Sequence, residues 1–287
     1  MDHTFAIPVF RAAPRLAALV GSLRAQTAAG SEIVLTTSTP SMELEDFARR
    51  ERLALLINPL CMGIAADWNF ALGAARTTLV TLAHQDDVFA PGYLARLAAT
   101  LQRHPGAVIA FSDYVEHTPL GRRPRNVNLR LKRALTERAF RGRECISETR
   151  DKLRLLSLGN PICCPSVLFN RSALGEFRFP PELQTNLDWM AWLELARRPG
   201  GFVYVRERLV SKGVHAGSET TATIASRARA REDRVLFESV WPRPVAAALA
   251  AIYRLGYLAN RVAPSPVPLS DAGHAAGDQS DADPLQR

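Results

Sequence analysis

From Phe5 to Phe111 the apolar positions alternate between two rhythms. Short, β-branched-rich runs at Phe5–Phe10, Ile33–Leu35, Leu53–Ile57, Thr78–Leu82 and Ala107–Phe111 predict strands. Between them, apolar residues recur at helical spacing. Leu16, Leu19, Val20 and Leu23 follow Pro14; Ile64, Trp68, Ala71 and Leu72 follow Gly63; Leu94, Leu97, Ala98 and Leu101 follow Pro91-Gly92. Met42–Arg52 completes the set of predicted helices. Strands alternating with helices in this way predict βαβ units and a mostly parallel sheet.

Beyond Phe111 the rhythm weakens. Gly121 to Arg154 is dense in arginine with little apolar periodicity, and predicts a long surface excursion, partly helical from Arg130 to Arg141. Ser166–Phe169 and Phe202–Val205 predict strands, and Asn186–Arg197, Ala222–Val240 and Pro244–Val262 predict helices. The stretch 265–287 is dominated by Pro, Ser, Gly, Asp and Ala, which predicts a disordered tail.

One junction carries candidate chemistry. Thr78–Leu82 reads as a strand buried on both faces, and it runs directly into Asp86 and Asp87. Ligands of open α/β sheets collect outside the carboxyl ends of strands, and paired carboxylates there suit Mg²⁺ or Mn²⁺ bridging nucleotide phosphates. The plainer reading of the pair is a turn that caps the next helix.

Composition narrows the partners. The 287 residues are 47% hydrophobic, enough for one large α/β domain, and their net charge of +8 favours anionic partners. Cys61, Cys145, Cys163 and Cys164 form no CxxC pair, which predicts free thiols in a reducing cytosol. The N-terminus MDHTFAIPVF lacks the basic and apolar regions of a secretory signal, and no apolar run reaches membrane-spanning length.

Four segments in order resemble the family 2 glycosyltransferases. Phe5–Gln26 is similar to that family's first strand and helix, and Gly63–Asp87 to its nucleotide-proximal helix and metal-site strand. Asn160–Leu174 resembles the acceptor-side strand and turn; Leu187–Leu195 resembles the helix bearing the catalytic base. The resemblance implies a GT-A fold, a mostly parallel sheet flanked by helices, over residues 1–220, with C-terminal helices at 221–263 and the tail at 264–287. Within the fold it implies a nucleotide-binding half at about 1–115, the arginine-rich excursion at about 121–154 and an acceptor-side half at about 155–220.

The resemblance also implies roles. Asp86 and Asp87 would hold Mn²⁺ or Mg²⁺, with His215 reaching the metal or diphosphate. Pro8, Phe10, Thr37, Asp67, Asn69 and Asp86 would line the nucleotide-sugar, and Asp188 would act as general base. His84 stands where the family's metal motif has its first aspartate, and Thr37 lies in a Thr36–Thr39 turn where many members carry a base-binding aspartate. Trp189 is either an acceptor-stacking platform or helix packing; Asp113, after a predicted strand end, is either an acceptor-cleft residue or a turn residue. The implied reaction passes a sugar from a nucleotide donor to a glycan or lipid-linked acceptor with inversion, as in cell-envelope polysaccharide synthesis.

The arginine-rich excursion is a solvated surface, a cradle for an anionic acceptor, or a peripheral contact with anionic membrane on its cytoplasmic side. Nucleic acid fits poorly, because no aromatics interleave with the arginines. The rival readings are a non-catalytic nucleotide- or glycan-binding member of the same fold and a sugar nucleotidyltransferase. A dinucleotide oxidoreductase is disfavoured, since no GxGxxG follows the first strand.

Overall fold

The computed structural model describes residues 2–11, 13–118, 121–122, 127–214 and 227–259. Its strands are β1 (His3–Val9), β2 (Ser31–Thr37), β3 (Ala54–Ile57), β4 (Leu79–Leu82), β5 (Val88–Phe89), β6 (Ala107–Thr118), β7 (Gly121–Arg122), β8 (Cys145–Ile146), β9 (Val167–Asn170) and β10 (Gly201–Gly213). The helices are α1 (Leu16–Arg24), α2 (Met42–Glu51), α3 (Ile64–Ala74), α4 (Tyr93–Gln102), α5 (Val127–Phe140), α6 (Thr149–Leu156), α7 (Arg171–Leu174), α8 (Leu187–Arg197), α9 (Arg227–Glu238) and α10 (Arg243–Ala259).

One mixed sheet runs β3-β2-β1-β4-β9-β6-β10-β5, with β7 beside β6 and β8 beside β10. The first four strands are parallel, as the βαβ rhythm predicts. β9 is antiparallel to both β4 and β6, while β6 and β10 are parallel. Side chains alternate across β1: Phe5, Ile7 and Val9 join one core with α1, α2 and α4, whereas Ala6 joins the other with α3, α8 and α9. The sheet is therefore covered on both faces. Leu16, Leu19, Val20 and Leu23 are the buried stripe of α1, as their spacing predicts.

The structure corrects the expectation for the arginine-rich stretch. Residues 127–156 form α5, β8 and α6, and they bury Leu129, Thr136, Ala139, Phe140, Ile146, Leu155 and Leu156. Several arginines are paired: Arg133 with Asp113, Arg143 with Asp151, and Arg206 of β10 with Glu137 of α5. Leu129, Ala139 and Phe140 are the buried apolar positions of α5, and Phe140 packs on Phe111 and Tyr204 of the sheet. Lys152 is fully buried, and its Nζ donates to the carbonyls of Arg198 and Gly200 at 2.7 and 2.8 Å. This ties α6 to the turn before β10. Lys152→Met should cost about 2–4 kcal/mol in urea unfolding, because two buried carbonyls lose their partner. A cost within error of zero would mean that water replaces the ammonium.

The tail at 264–287 lies outside the described residues. So does His215, together with 216–226, the first part of the helix predicted from Ala222.

Candidate active site

The carboxyl ends of β1, β2 and β4 converge on one rim, where an open α/β sheet places its ligand. Pro8 and Val9 pair in register with Thr36 and Thr37. Just beyond, Phe10 is partly exposed, and its N–H donates to Gln85 Oε1 at 2.8 Å. The Arg11 N–H donates to Thr39 Oγ1 at 2.7 Å. Thr37 is buried, and its hydroxyl accepts the N–H of Thr39 at 3.0 Å. Three loops are thus pinned side by side, with the Gln85 side chain linking β1 to the turn that carries the aspartates.

Asp67 and Asn69 turn out to hold structure together. Asp67 is buried on α3 and accepts from Ser38 Oγ and Asn58 Nδ2, both at 2.9 Å. It braces the loops after β2 and β3. Asn69, expected from the resemblance to line the nucleotide-sugar, directs its amide at the backbone of another segment. Its amide donates to the Phe179 carbonyl at 2.9 Å and accepts the Phe179 N–H at 2.7 Å, which engages both ends of the group.

Asp86 is half-buried and Asp87 fully buried. Asp87 Oδ1 accepts the N–H of Gly213, at the end of β10, at 2.9 Å. Its Oδ2 is buried without a hydrogen-bond partner among the described residues. Burial raises the Asp87 carboxyl to about 7, against the pull of Lys212, the Gly213 N–H and Arg15. A buried, partnerless carboxylate oxygen beside a second carboxylate fits a hard divalent cation. Among the described residues no three His, Cys, Asp or Glu side chains cluster closely enough to hold a metal by themselves.

His84 lies against Trp68, with ring centroids 4.7 Å apart. Its Nε2 is shielded and has no hydrogen-bond partner among the described residues. Burial, reinforced by Lys212, drives the imidazole down to about 3, so it is neutral at physiological pH. It can donate or accept one hydrogen bond, but it brings no charge to a phosphate.

Across the rim, Asp188 sits in the first turn of α8 and accepts the N–H of Trp189 at 2.8 Å on Oδ1. Burial raises its carboxyl above the usual range, while Lys212 and Lys132 pull the other way. Lys212, next to last in β10, shares this electrostatic environment. Burial lowers its ammonium, yet Cys163, Asp87, Asp188 and Glu116 together lift it above its ordinary value. Lys132 Nζ donates to the Tyr114 hydroxyl at 3.0 Å. The structure therefore gathers Asp87, Lys212, Lys132 and Asp188 into one electrostatic neighbourhood.

Two expectations fall here. Trp189 is 1% exposed; its Nε1 donates to the Leu156 carbonyl at 3.1 Å and its ring packs edge-on against Phe237, so it offers no face to a sugar. Asp113 does not follow a strand end, because β6 runs on to Thr118, and its carboxylate pairs with Arg133 at 3.1 Å. Sequence reasoning missed Lys132, Lys212 and Gly213. Lys212 and Gly213 precede His215 by only a few residues, so the segment was marked while its key groups were not.

A mixed sheet covered on both faces by helices, with paired aspartates just past the end of a parallel strand, is the arrangement of the GT-A folds. Solved structures agree. The S. aureus TarS 1-349 structure in complex with UDP-GlcNAc aligns over 90% of this chain and 72% of its own, with a TM-score of 0.62 and 14% identity. Mannosyltransferase PcManGT from Pyrobaculum calidifontis, in complex with GDP-Man and Mn²⁺, aligns over 91% and 76%, with a TM-score of 0.54 and 16% identity. Glucosyl-3-phosphoglycerate synthase from Mycobacterium tuberculosis, with Mn²⁺, UDP and glucosyl-3-phosphoglycerate, aligns over 79% and 80%, with a TM-score of 0.51 and 14% identity. Curated protein sequences give no significant match. The sequence profile described as Glycosyl transferase family 2 matches residues 4–177, and the chain belongs to that family.

Proposed function

We propose that this protein transfers a sugar from a nucleotide donor to a hydroxyl of a glycan or lipid-linked acceptor, with inversion at the anomeric carbon. The observation that supports this reading is that Asp87, after β4, and Asp188, on α8, both act on the same Lys212 ammonium. The nucleotide lies on the ends of β1 and β2, against Pro8, Phe10 and the Thr37 turn. Asp86 and Asp87 would hold a divalent cation, Mn²⁺ or Mg²⁺, which when bound would supply Lewis-acid stabilisation of the diphosphate leaving group. Lys212 adds positive charge on the same side.

Asp188 receives the acceptor's proton. Its raised affinity for protons suits a base that must take one from a hydroxyl, and its Trp189 N–H contact fixes the carboxylate's direction. One base on the face opposite the leaving group implies a single displacement, hence inversion. His84 keeps a neutral hydrogen-bonding role toward the donor, and His215 remains a proposed diphosphate contact. Among the described residues no helix is long and apolar enough to cross a membrane, so a lipid-linked acceptor would be met from a peripheral position.

Calorimetric titration of UDP- and GDP-sugars, with Mn²⁺ and with chelator, tests the reading. Cation-dependent binding of one nucleotide-sugar, followed by its turnover, is the expected result. Absence of cation-dependent binding across the panel would leave a fold without this chemistry.

A further inference from the structure

The N-terminal turn of α8 is held from outside itself. Asn186 occupies the N-cap, but its side chain makes no capping hydrogen bond to the helix. It donates instead to Asp233 Oδ1 at 2.9 Å. The neighbouring Glu232 is only 7% exposed and receives a fan of donors. Its Oε1 accepts the N–H of Gln184 at 2.7 Å; its Oε2 accepts the N–H groups of Thr185 and Asn186, both at 3.0 Å, and the Thr185 hydroxyl. Both carboxylates come from α9, some 46 residues further along the chain.

The arrangement exceeds what a helix end needs. One Ser, Thr, Asp or Asn side chain satisfies an N-terminus locally. Here two buried acidic side chains of another helix fix three consecutive residues, 184–186, directly ahead of Asp188. A negative charge at that end also complements the helix dipole. The Asn186 carbonyl starts the first turn by accepting the N–H of Met190 at 3.1 Å, so the fixed segment and the turn bearing Asp188 are one unit. Arg229 of α9 adds its positive field at the Asp188 carboxylate.

We infer that Glu232 is a positioning residue for Asp188: by clamping 184–186, it sets where the general base stands relative to the donor-side aspartates. The inference rests on the glycosyl-transfer reading for its catalytic consequence, though not for the clamp itself. Glu232→Gln keeps the size but turns one acceptor into a donor facing backbone N–H groups. Glu232→Asp keeps both acceptors on a shorter stem.

The test uses the full-length protein. For Glu232→Gln we expect kcat to fall between tenfold and roughly a hundredfold, the scale of a small misplacement of a reacting group, with the donor KM unchanged. Glu232→Asp should recover part of kcat. Amide hydrogen exchange should accelerate at 184–190 and nowhere else. Unaltered kcat in Glu232→Gln would overturn the assignment. So would a loss of kcat accompanied by faster exchange throughout the molecule, which would mark an ordinary stability defect. Should the wild-type protein turn over no nucleotide-sugar, the transfer reading fails separately, and carboxyl-labelled NMR decides the clamp. A changed titration midpoint of Asp188 in Glu232→Gln supports it; an identical midpoint overturns it.

Discussion

Replacing Asp188 with asparagine is expected to cut turnover about 10²–10⁴-fold, the range that a positioned general base contributes. Asparagine preserves the shape and can still accept the Trp189 N–H, so α8 should keep its place. Donor affinity, measured by calorimetry with Mn²⁺, should stay at the wild-type value, because the site assigned to the nucleotide lies on the opposite rim. In the wild type the rate should decline on acidification, and should do so at a higher pH than an ordinary carboxylate would dictate, since burial raises Asp188. A variant losing less than about tenfold would put the base elsewhere.

Asp87→Asn should separate stability from function. The folded carboxyl titrates at about 7, against 3.8 for an exposed aspartate. Below about pH 4 the group is protonated whether folded or unfolded, and it costs nothing. Between about 4 and 7 the unfolded chain ionises while the folded one resists, and cation-free stability declines by about 1.4 kcal/mol per pH unit. Above about 7 the penalty levels off. The asparagine variant should therefore match the wild type near pH 4 and exceed it by a few kcal/mol near pH 8, in urea unfolding with chelator present. At the same time it should lose cation-dependent nucleotide-sugar binding. Equal stability at both pH values, or undiminished binding, would contradict this account of the buried carboxylate.

Much of the molecule was legible from local pattern. The stripe Leu16, Leu19, Val20 and Leu23 gave α1 because a helix face must bury what recurs at i, i+3, i+4 and i+7. What sequence hides is which side of an element faces the ligand and which distant element arrives beside it. Asn69 lies on the predicted helix, but its amide faces the Phe179 backbone, a contact spanning 110 positions. Trp189 and Asp188 are consecutive, yet one is core and the other is only partly buried. Arginine density concealed α6 and the burial of α5, whose helix was expected at 130–141, because charged side chains dominate the composition while a few apolar positions decide the docking. β10 was truncated at Val205 because Arg206, Glu207 and Arg208 interrupt its apolar run; they are the exposed positions of the strand, at the register shifts with β6. Nothing local marks Glu232, whose partners are backbone groups on another element.

The position of β9 bears on how the chain acquires its shape during synthesis. β4 and β6 emerge from the ribosome early, but they do not pair with each other; β9, whose last residue is Asn170, is the wedge between them. Until that strand appears, the parallel set ending at β4 has an open edge, and β6 waits for a neighbour on each side. Such pairings span long sequence separations, so they form slowly and leave unpaired strands exposed to other nascent chains in the interval. The aspartate turn after β4 acquires its Gly213 contact later still, so the rim takes final form only when almost three quarters of the polypeptide has been made.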